Sequence, residues 1–337
     1  MAAIRPLDRF LPRASVLSLL ASLVLVATAV ARWSAPPTGP TLAAPRSARR
    51  TVRTGSLAYP REAVDNDGFL VRIPAPPRRI VSQYWSLDEY LYSVVPPDRV
   101  VGVSESAFVP GVSNVMDLVR AFRPVMAGDA ERVLRQNPDL ILVAGSSRSD
   151  FTGLIRTSSI PVFRVFDDFT TLEQIEEYTR LVGYLTGEDA RAASVAQRFH
   201  DEVQAAAALR SPNPRAPRVL GCSGPFGYGA GTLMDDVLKK IGAVNVAAQN
   251  GMTGYDAVNA EQIARWNPDW IVTSSPAGQT ESTRKRLLAD PGIALTAAGR
   301  TGQILILEDR VFMPMSPFAS TRVRAIADAI HQGRPAR

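Results

Sequence analysis

The stretch AERVLRQNPDLILV, residues Ala130–Val143, returns as AEQIARWNPDWIVT at Ala260–Thr273, 130 residues further along the chain. Between Asp129 and Val143, seven of fifteen positions are identical at that offset. The identical residues of the first copy are Ala130, Glu131, Arg135, Asn137, Pro138, Asp139 and Ile141. The offset is far longer than the roughly 20–50 residues of a solenoid repeat. The repetition therefore predicts two related lobes.

The length and charge of the chain limit the classes of protein to consider. At 337 residues the chain is longer than the about 250–300 residues at which a single core stops growing, which favours two domains. The formal net charge is +6, but residues 1–53 hold eight arginines and one acid, which leaves 30 basic and 31 acidic residues elsewhere. A nearly neutral body gives no support for nucleic-acid binding, and we expect none.

The first residues are typical of an export signal. Three arginines precede an uncharged apolar run, Ala14–Ala31, whose last residues are small enough for signal-peptidase cleavage. We predict that residues 1–31 are a signal peptide or, because 18 apolar residues reach the lower limit for a bilayer span, a retained membrane anchor. Either assignment places the body in the periplasm or another extracytoplasmic compartment. Residues 32–77, rich in Pro, Ala, Arg and Thr, are predicted to form a flexible linker with at most one short strand, near GFLVRIP (Gly68–Pro74).

Alternating strands and helices predict an N-terminal lobe over residues 78–169. The β-branched run Arg78–Gln83 suits a buried strand. Ser86 and Glu89 then have the spacing of a capping box, which predicts the start of a helix.

A helical segment is predicted over residues 170–210. Thr170 and Glu173 have capping-box spacing, and residues 188–209 continue without proline or glycine. This second helix carries one apolar stripe, formed by Ala192, Val195, Phe199, Val203 and Ala206. Because it lies between the two copies of the repeat, we expect it to join the lobes.

The second half repeats the pattern of the first, which predicts a C-terminal lobe over residues 217–332. RVLGCSG (Arg218–Gly224) corresponds to the first strand of the N-terminal lobe, and GQILILE (Gly302–Glu308) reads as its last strand. The predicted fold class is α/β, with two doubly wound lobes of mostly parallel sheet joined by a single long helix. Ligands of such sheets bind beyond the carboxyl ends of the strands, which predicts a ligand cleft between the lobes.

Residues suited to catalysis or metal binding are scarce in this sequence. The two histidines, His200 and His331, are expected in solvent, and neither has a Cys, Asp or Glu at metal-ligand spacing. We therefore predict no metal site and no cofactor. The single cysteine, Cys222, allows no internal disulfide and is expected to be a small buried residue.

A glycine-rich stretch, GPFGYGAGT (Gly224–Thr232), lies between a predicted strand and a predicted helix. It lacks the G-K-[ST] ending of a phosphate-binding loop. Two interpretations remain open. The stretch is either a flexible wall that lets Phe226 and Tyr228 approach a ligand, or a loop that only turns the chain.

Two glutamates occupy the same place in the two copies of the repeat. Asp129 and Asn259 are good N-caps, which places Glu131 and Glu261 in the first turn of a helix. The helix dipole favours a carboxylate there by about 0.3–1 kcal/mol, and this would explain either glutamate alone. Their repetition favours a second role, in which one anion on each lobe contacts cationic side chains of a partner.

The order of these segments resembles the cobalamin- and iron-siderophore-binding proteins of ABC importers, the class III periplasmic binding proteins with a helical backbone. The sequence RRIVSQYWSLDEYLYSVVPPDRVVGVSE (Arg78–Glu105) precedes the first repeat, and GTLMDDVLKKIGAVNV (Gly231–Val246) precedes the second. The resemblance covers roughly Arg78 to His331. It implies two lobes joined by one rigid helix, with the ligand held between them. It also implies that Glu131 and Glu261 dock onto arginines of the membrane permease.

In that family the ligand contacts loops that follow strands, which leads us to nominate Tyr84, Trp85, Arg148, Phe226 and Tyr228. Aromatic side chains suit a flat or apolar metal chelate, and Arg148 suits a carboxylate or a phosphate. Two sulfur-containing side chains and one aromatic are assigned either to the pocket or to the core: Met313, Met315 and Phe318.

The same resemblance bears on which chelate binds. Haem-binding members often use a Tyr or His after the second strand, whereas Ser104–Asn114 contains neither. Cobalamin-binding members carry an aromatic residue shortly before the first glutamate, which the sequence PVMAGDAE lacks. The ligand class therefore stays open among ferric siderophores, corrinoids and related chelates.

We expect a monomeric, non-enzymatic extracytoplasmic protein that captures a metal chelate and delivers it to an ABC permease. One alternative is a membrane-tethered sensor or scaffold that binds the ligand without transport. Another is an enzyme that uses the interlobe cleft, for which Glu105, Asp167 and Asp168 are the available acids.

Overall fold

The computed structural model describes residues 57–119, 129–165, 168–210 and 215–332. The predicted export segment, 1–31, and the predicted linker up to residue 56 lie outside these ranges. Within the described ranges, every helix is too short or too polar to span a bilayer.

The end of the predicted linker is folded rather than flexible. Strand β1 (Arg61–Val64) pairs antiparallel with β2 (Leu70–Ile73) to form a hairpin. Arg61 is buried, and its guanidinium donates to the carbonyl of Tyr184 at 2.6 Å and pairs with Asp189 at 2.8 Å. A buried charge needs such partners, so these contacts attach the hairpin to the helical segment. The linker prediction was wrong here because composition alone does not reveal a long-range ion pair.

Four parallel strands form the sheet of the first lobe, in the order β4-β3-β5-β6. They are β3 (Ile80–Ser82), β4 (Val100–Gly102), β5 (Leu140–Ala144) and β6 (Val162–Val165). Every residue of β5 is buried, as expected for a central strand that is covered on both faces.

The second lobe repeats this topology. Its parallel strands β7 (Arg218–Ser223), β9 (Val244–Asn245), β11 (Trp270–Ser275) and β12 (Ile304–Glu308) pair in the order β9-β7-β11-β12. Two antiparallel strands, β8 (Phe226–Tyr228) and β10 (Tyr255–Ala257), extend the sheet beside β7. In each lobe the second parallel strand along the chain lies beside the first, and the third and fourth follow on the other side. The predicted α/β class with mostly parallel sheets is confirmed.

Helices cover both faces of the two sheets. The first lobe and the following segment contain α1 (Trp85–Val94), α2 (Met116–Val119), α3 (Ala130–Arg135), α4 (Ser149–Arg156), α5 (Leu172–Thr186) and α6 (Asp189–Ala207), with 3-10 turns at Pro97–Arg99 and Glu105–Phe108. The second lobe contains α7 (Leu233–Lys240), α8 (Val246–Gln249), α9 (Ala260–Trp266), α10 (Thr280–Leu288), α11 (Pro291–Ala294), α12 (Ala297–Thr301), α13 (Asp309–Phe312) and α14 (Ala319–Gln332). One apolar core includes residues of both lobes and of α5, α6 and α14, and each sheet has a smaller core on its other face.

The long helix predicted over residues 188–209 is α6, Asp189–Ala207. It starts after Gly187, whose φ of 80° ends the preceding helix α5 in the left-handed region. The predicted apolar stripe is buried, and α6 packs against α1 of the first lobe and α14 of the second. The helix therefore contacts both lobes, as a connecting element must.

The repeated Asn-Pro-Asp motif turns each chain segment from a helix into a strand. Asn137 and Asn267 have φ values of 47° and 44°, in the left-handed region that asparagine tolerates better than most residues. Asp139 accepts hydrogen bonds from the amides of the two residues that precede β3, at 2.7 and 2.8 Å. Asp269 accepts one from the first amide of β7 at 3.0 Å. The motif thus ties adjacent parallel strands together in both lobes.

Two predicted capping boxes are not present as expected. Helix α1 has no side-chain cap, because Ser86 and Glu89 are buried inside the protein instead of bonding to its first turn. Helix α5 is capped by Thr171 with Gln174, one position beyond the predicted pair. Local spacing did not distinguish a cap from a buried polar residue, since burial depends on distant segments.

Loops at the carboxyl ends of the two sheets meet directly. Arg310, which follows β12, donates its amide to the carbonyl of Gly111 at 2.8 Å, and Asn114 donates its side-chain amide to the Arg310 carbonyl at 2.8 Å. A Cβ at Gly111 would lie only 2.5 Å from that of Ala277, which follows β11, so the approach requires glycine. We call this contact the interlobe seam: Glu89, Gly111, Asn114, Ala277, Arg310 and Ser316.

Glu89 of α1 is buried at the interlobe seam and hydrogen-bonds to residues of both lobes. Its fully buried carboxylate accepts hydrogen bonds from the Asn114 side chain at 2.7 Å and from the Ser316 hydroxyl of the second lobe at 2.5 Å. Burial raises the pKa of Glu89 to about 7, against the opposing effect of these donors. Burial likewise raises the pKa of the neighbouring Asp88 to about 7. Both carboxyl groups therefore titrate near neutral pH in the folded protein.

These two pKa values predict that the free energy of unfolding falls as the pH rises from about 4.5 to 7. The folded state keeps protons that the unfolded chain releases near its ordinary carboxyl pKa, so the associated stability is complete below that value. This stability is lost as the pH rises through the pKa of the folded state. The expected loss is on the order of 1–3 kcal/mol for each carboxyl group. Chemical denaturation at a series of pH values measures the slope.

The matched variants are Glu89→Gln and, as the control, Glu281→Gln on an exposed first turn. We expect Glu89→Gln to flatten part of the pH dependence and Glu281→Gln to leave it unchanged. A wild-type protein more stable at pH 8 than at pH 5 would contradict the assignment of Glu89 and Asp88 as groups with raised pKa.

Candidate ligand and docking sites

The aromatic pair nominated in the first lobe lies at the carboxyl end of its sheet. Strand β3 ends at Ser82, Tyr84 is the N-cap of α1, and Trp85 is its first residue. The ring centroids of Tyr84 and Trp85 are 5.9 Å apart with their planes tilted by 49°. Both side chains are partly exposed, so they form an apolar surface that a ligand can contact.

Arg148 lies at the same edge of the sheet but is already paired. It follows β5, the neighbour of β3, and is the N-cap residue of α4. Its guanidinium donates to both carboxylate oxygens of Asp150, at 3.1 and 2.6 Å, and its side chain is 80 % exposed. The hydrogen bond from Arg148 lowers the pKa of Asp150. An anionic ligand group would therefore either compete with Asp150 or use the N–H groups of Arg148 that Asp150 leaves unused.

Phe226 and Tyr228 lie on a strand, not on the flexible loop that the glycines suggested. Strand β8 turns back antiparallel on β7 at Gly224, which has a φ of 54°. A side chain at Gly227 would meet Met252 and Val258, so that face of β8 is covered by the core. Because side chains alternate along a strand, Phe226 and Tyr228 share the opposite face. The glycines serve the turn and the close packing rather than flexibility.

Tyr228 belongs to an aromatic group that the sequence did not predict. Its ring centroid lies 5.2 Å from that of Tyr255 on β10 and 5.7 Å from that of Phe312 on α13. Tyr255 is 48 % exposed and Phe226 is 52 % exposed. Asp168, which follows β6, contributes to raising the pKa of Tyr255, although burial is the main cause. The ring of Tyr255 therefore lies within electrostatic reach of the first lobe.

Arg322 contacts the backbone of one member of this aromatic group, Phe312. It is 5 % exposed on α14, and its Nη1 donates to the carbonyl of Phe312. Sequence reasoning missed Arg322 and Tyr255, because neither lies in a recognisable motif and strand β10 is only three residues long. The open assignment of the neighbouring residues is now clear: Met315 and Phe318 pack against the main core, whereas Met313 is 39 % exposed.

The two repeated glutamates are on the surface of their lobes. The N-cap side chains of Asp129 and Asn259 accept hydrogen bonds from the third residue of each helix, as expected. The side chains of Glu131 and Glu261 are 80 % and 82 % exposed. Each forms an ion pair with the arginine four residues later, at 3.3 Å in α3 and 2.6 Å in α9.

Structure accounts for most of the repeated residues but not for these pairs. Isoleucine is buried in the sheet, alanine packs inside the lobe, and Asn-Pro-Asp connects helix to strand in both copies. Glutamate and arginine remain, and an exposed i,i+4 pair contributes only about 0.3–0.5 kcal/mol to stability. Stability alone therefore does not account for the repetition of Glu131, Arg135, Glu261 and Arg265.

The remaining polar groups offer little chemistry. Nδ1 of His200 lies 2.9 Å from a Glu176 oxygen, and Nε2 of His331 lies 2.8 Å from the carbonyl of Ile241, so both histidines have partners where we expected only solvent. Cys222 is buried, as predicted, and burial raises its pKa to about 11. Among the described residues, no three His, Cys, Asp or Glu side chains are grouped as metal ligands. Of the three acids considered for an enzyme, Asp167 lies outside the described residues.

Known proteins are similar to this chain in sequence and in fold. A cobalamin-binding protein of Halobacterium salinarum is 27 % identical over 316 residues, covering 92 % of this chain and 84 % of that protein. An uncharacterized ABC transporter substrate-binding lipoprotein of Bacillus subtilis is 26 % identical over 213 residues, covering 60 % of this chain and 66 % of the relative. The periplasmic heme-binding protein RhuT from Roseiflexus, solved in its apo form, superposes with a TM-score of 0.66 at 24 % identity, covering 76 % of this chain and 98 % of RhuT.

The family model described as periplasmic binding protein matches residues 80–311, from the first strand of the first lobe to the segment that follows the last strand of the second. This range contains both copies of the repeat, the long helix between them and every residue of the interlobe seam except Ser316. The chain therefore belongs to the periplasmic binding protein family.

Proposed function

We propose that this protein is an extracytoplasmic substrate-binding protein that captures a metal chelate and delivers it to an ABC importer. The observation that carries this proposal is the pair of equivalent lobes that meet at the carboxyl ends of their sheets, each presenting one exposed Glu–Arg pair. The named functions of the relatives support it, because they are cobalamin binding and ABC-transporter substrate binding.

The ligand would bind between the aromatic surfaces of the two lobes. Tyr84 and Trp85 contribute from the first lobe, and Phe226 and Tyr228 contribute from the second. Flat or apolar chelates gain most from such surfaces, because aromatic side chains bury large areas with few rotatable bonds. Arg148 remains a candidate contact for an anionic group, since its exposed pair with Asp150 exchanges at little cost.

The interlobe seam and α6 restrict how the lobes move. A hydrogen-bonded contact between buried groups of both lobes resists a wide opening, and α6 packs against helices of both. Binding would therefore produce a small hinge or twist.

The two Glu–Arg pairs would form the contact with the permease. Their equivalence suits a partner with two equivalent subunits, each of which presents a cation to Glu131 or Glu261. We place residues 1–31 as the export signal of this protein, cleaved or retained as an anchor, and we expect the body to act as a monomer outside the cytoplasm.

Ligand binding is tested by tryptophan fluorescence with cobalamin, cobinamide, haem and several ferric siderophores. We expect saturable quenching by one chelate and about tenfold weaker binding by Trp85→Ala, because the ring contributes stacking area at the pocket. Trp270→Phe is the matched control, since Trp270 begins β11 at the opposite end of the sheet. Quenching lost equally in both variants would contradict the position of the pocket.

Docking is tested with the cognate importer reconstituted in proteoliposomes. Glu131→Lys with Glu261→Lys should lower ligand-stimulated ATP hydrolysis at least about tenfold, because each change replaces attraction by repulsion at a lobe. Chelate affinity should stay unchanged, since neither glutamate is among the nominated ligand contacts and both side chains are highly exposed. Glu281→Lys, an exposed first-turn glutamate of α10, is the control. Normal stimulation by the double variant would favour a sensor or scaffold over an importer component.

A further inference from the structure

The guanidinium of Arg322 is buried, but most of its N–H donors have no partner within the protein. Its Nη1 donates to the Phe312 carbonyl, but Nε and Nη2 are buried without a hydrogen-bond partner. Arginine remains charged at neutral pH, and a buried charged donor left unpaired is strongly destabilising. Within the described parts of the chain, no carboxylate forms an ion pair with Arg322. The fold therefore keeps a cation whose hydrogen-bonding capacity is only partly used.

The groups closest to Arg322 do not neutralise it. Burial lowers its pKa to about 10, so the guanidinium is still protonated at pH 7. Burial also raises the pKa of Tyr255 to about 12 and raises that of Tyr228, so both phenols stay neutral. Neither phenol therefore supplies a negative charge, and Arg322 forms no ion pair with any described residue.

The position of Arg322 connects it with the ligand surface. The carbonyl that it contacts belongs to Phe312, just beyond β12, and the Phe312 ring packs against Tyr228. Tyr228 shares its strand face with Phe226, one of the nominated ligand contacts. Parallel strands β7 and β12 end at this edge of the sheet, where ligands of doubly wound sheets bind.

We propose that Arg322, which is buried beside Phe312 with Nε and Nη2 unpartnered, is an anion-binding subsite that receives a carboxylate or phosphate group of the captured ligand. This inference rests on the proposed function and narrows its ligand class to chelates that carry an anionic group. A guanidinium offers two parallel N–H donors, the arrangement that binds a carboxylate or a phosphate in a bidentate manner. Nε and Nη2 of Arg322 are such a pair.

Tyr255 is the side chain that can uncover this subsite. It lies on β10, a three-residue strand at the end of the sheet order with all residues exposed. The residue is 48 % exposed, so displacing it uncovers less area than displacing a core aromatic would. Tyr228, by contrast, packs against the rings of Tyr255 and Phe312, and its strand β8 is paired with β7. A ligand group would therefore reach the guanidinium by moving the Tyr255 ring aside.

The test is a calorimetric titration of the protein with inorganic phosphate, citrate and ferric dicitrate at pH 7 and constant ionic strength. We expect one site for at least one of these anions, weakened about tenfold or more in Arg322→Gln and much less in Arg322→Lys, which keeps a point charge. Arg324→Gln is the matched control, because Arg324 is exposed on the same helix and paired with Asp328. Equal binding by wild type and Arg322→Gln, or equal loss in Arg324→Gln, would overturn the subsite.

Tyr255→Ala keeps the proposal testable if the Arg322 variants do not fold. Removal of the covering ring should leave anion affinity equal or higher and should speed association, as measured by stopped-flow fluorescence. Loss of anion binding in Tyr255→Ala would mean that the anion contacts the ring and not the guanidinium beneath it.

The two proposals fail in different ways. Anion binding at Arg322 without binding of any chelate would leave the subsite and remove the chelate-capture function. Chelate binding that is unchanged by Arg322→Gln would support the chelate-capture function and overturn the anion subsite.

Discussion

The carboxylate of Glu89 is the contact on which the arrangement of the lobes depends. It accepts hydrogen bonds from Asn114 of its own lobe and from Ser316 of the other, in a place closed to water. A buried carboxyl group without donors would destabilise the fold, so these partners must stay in place around it. The close approach of Gly111 to Ala277 belongs to the same seam. The strand ends of both sheets are thereby brought to one place.

Bringing the strand ends together places the nominated aromatic residues of both lobes at the edges of the sheets that meet in the seam. The aromatic side chains follow strand ends and lie on the side of the seam. The exposed Glu–Arg pairs lie on α3 and α9, the helices that directly precede β5 and β11. Arg322 belongs to the ligand side, because Phe312 and Tyr228 connect it to that edge.

Much of the fold could be predicted because its signals are local or repeated. The buried stripe of α6 is visible as apolar residues at helical spacing, and the Asn-Pro-Asp motif marks a helix end followed by a strand in both halves. The errors share one cause. Glu89 had the spacing of a cap but is buried by Ser316, 227 residues away, and Arg61 looked like part of a basic linker but pairs with Asp189. Sequence spacing reports local hydrogen bonds and cannot report partners brought together by folding.

The sequence by itself determined the α/β class, the two equivalent lobes, the connecting helix and the repeated surface glutamates, since each depends on periodicity or on comparison within the chain. Only the tertiary structure decided which polar residues became part of the interior. It placed Glu89 in the seam, turned the glycine-rich stretch into strand β8, and gathered Tyr228, Tyr255, Phe312 and Arg322 from four separate elements. Burial and charge pairing depend on contacts between distant segments, and such contacts exist only after the chain has folded.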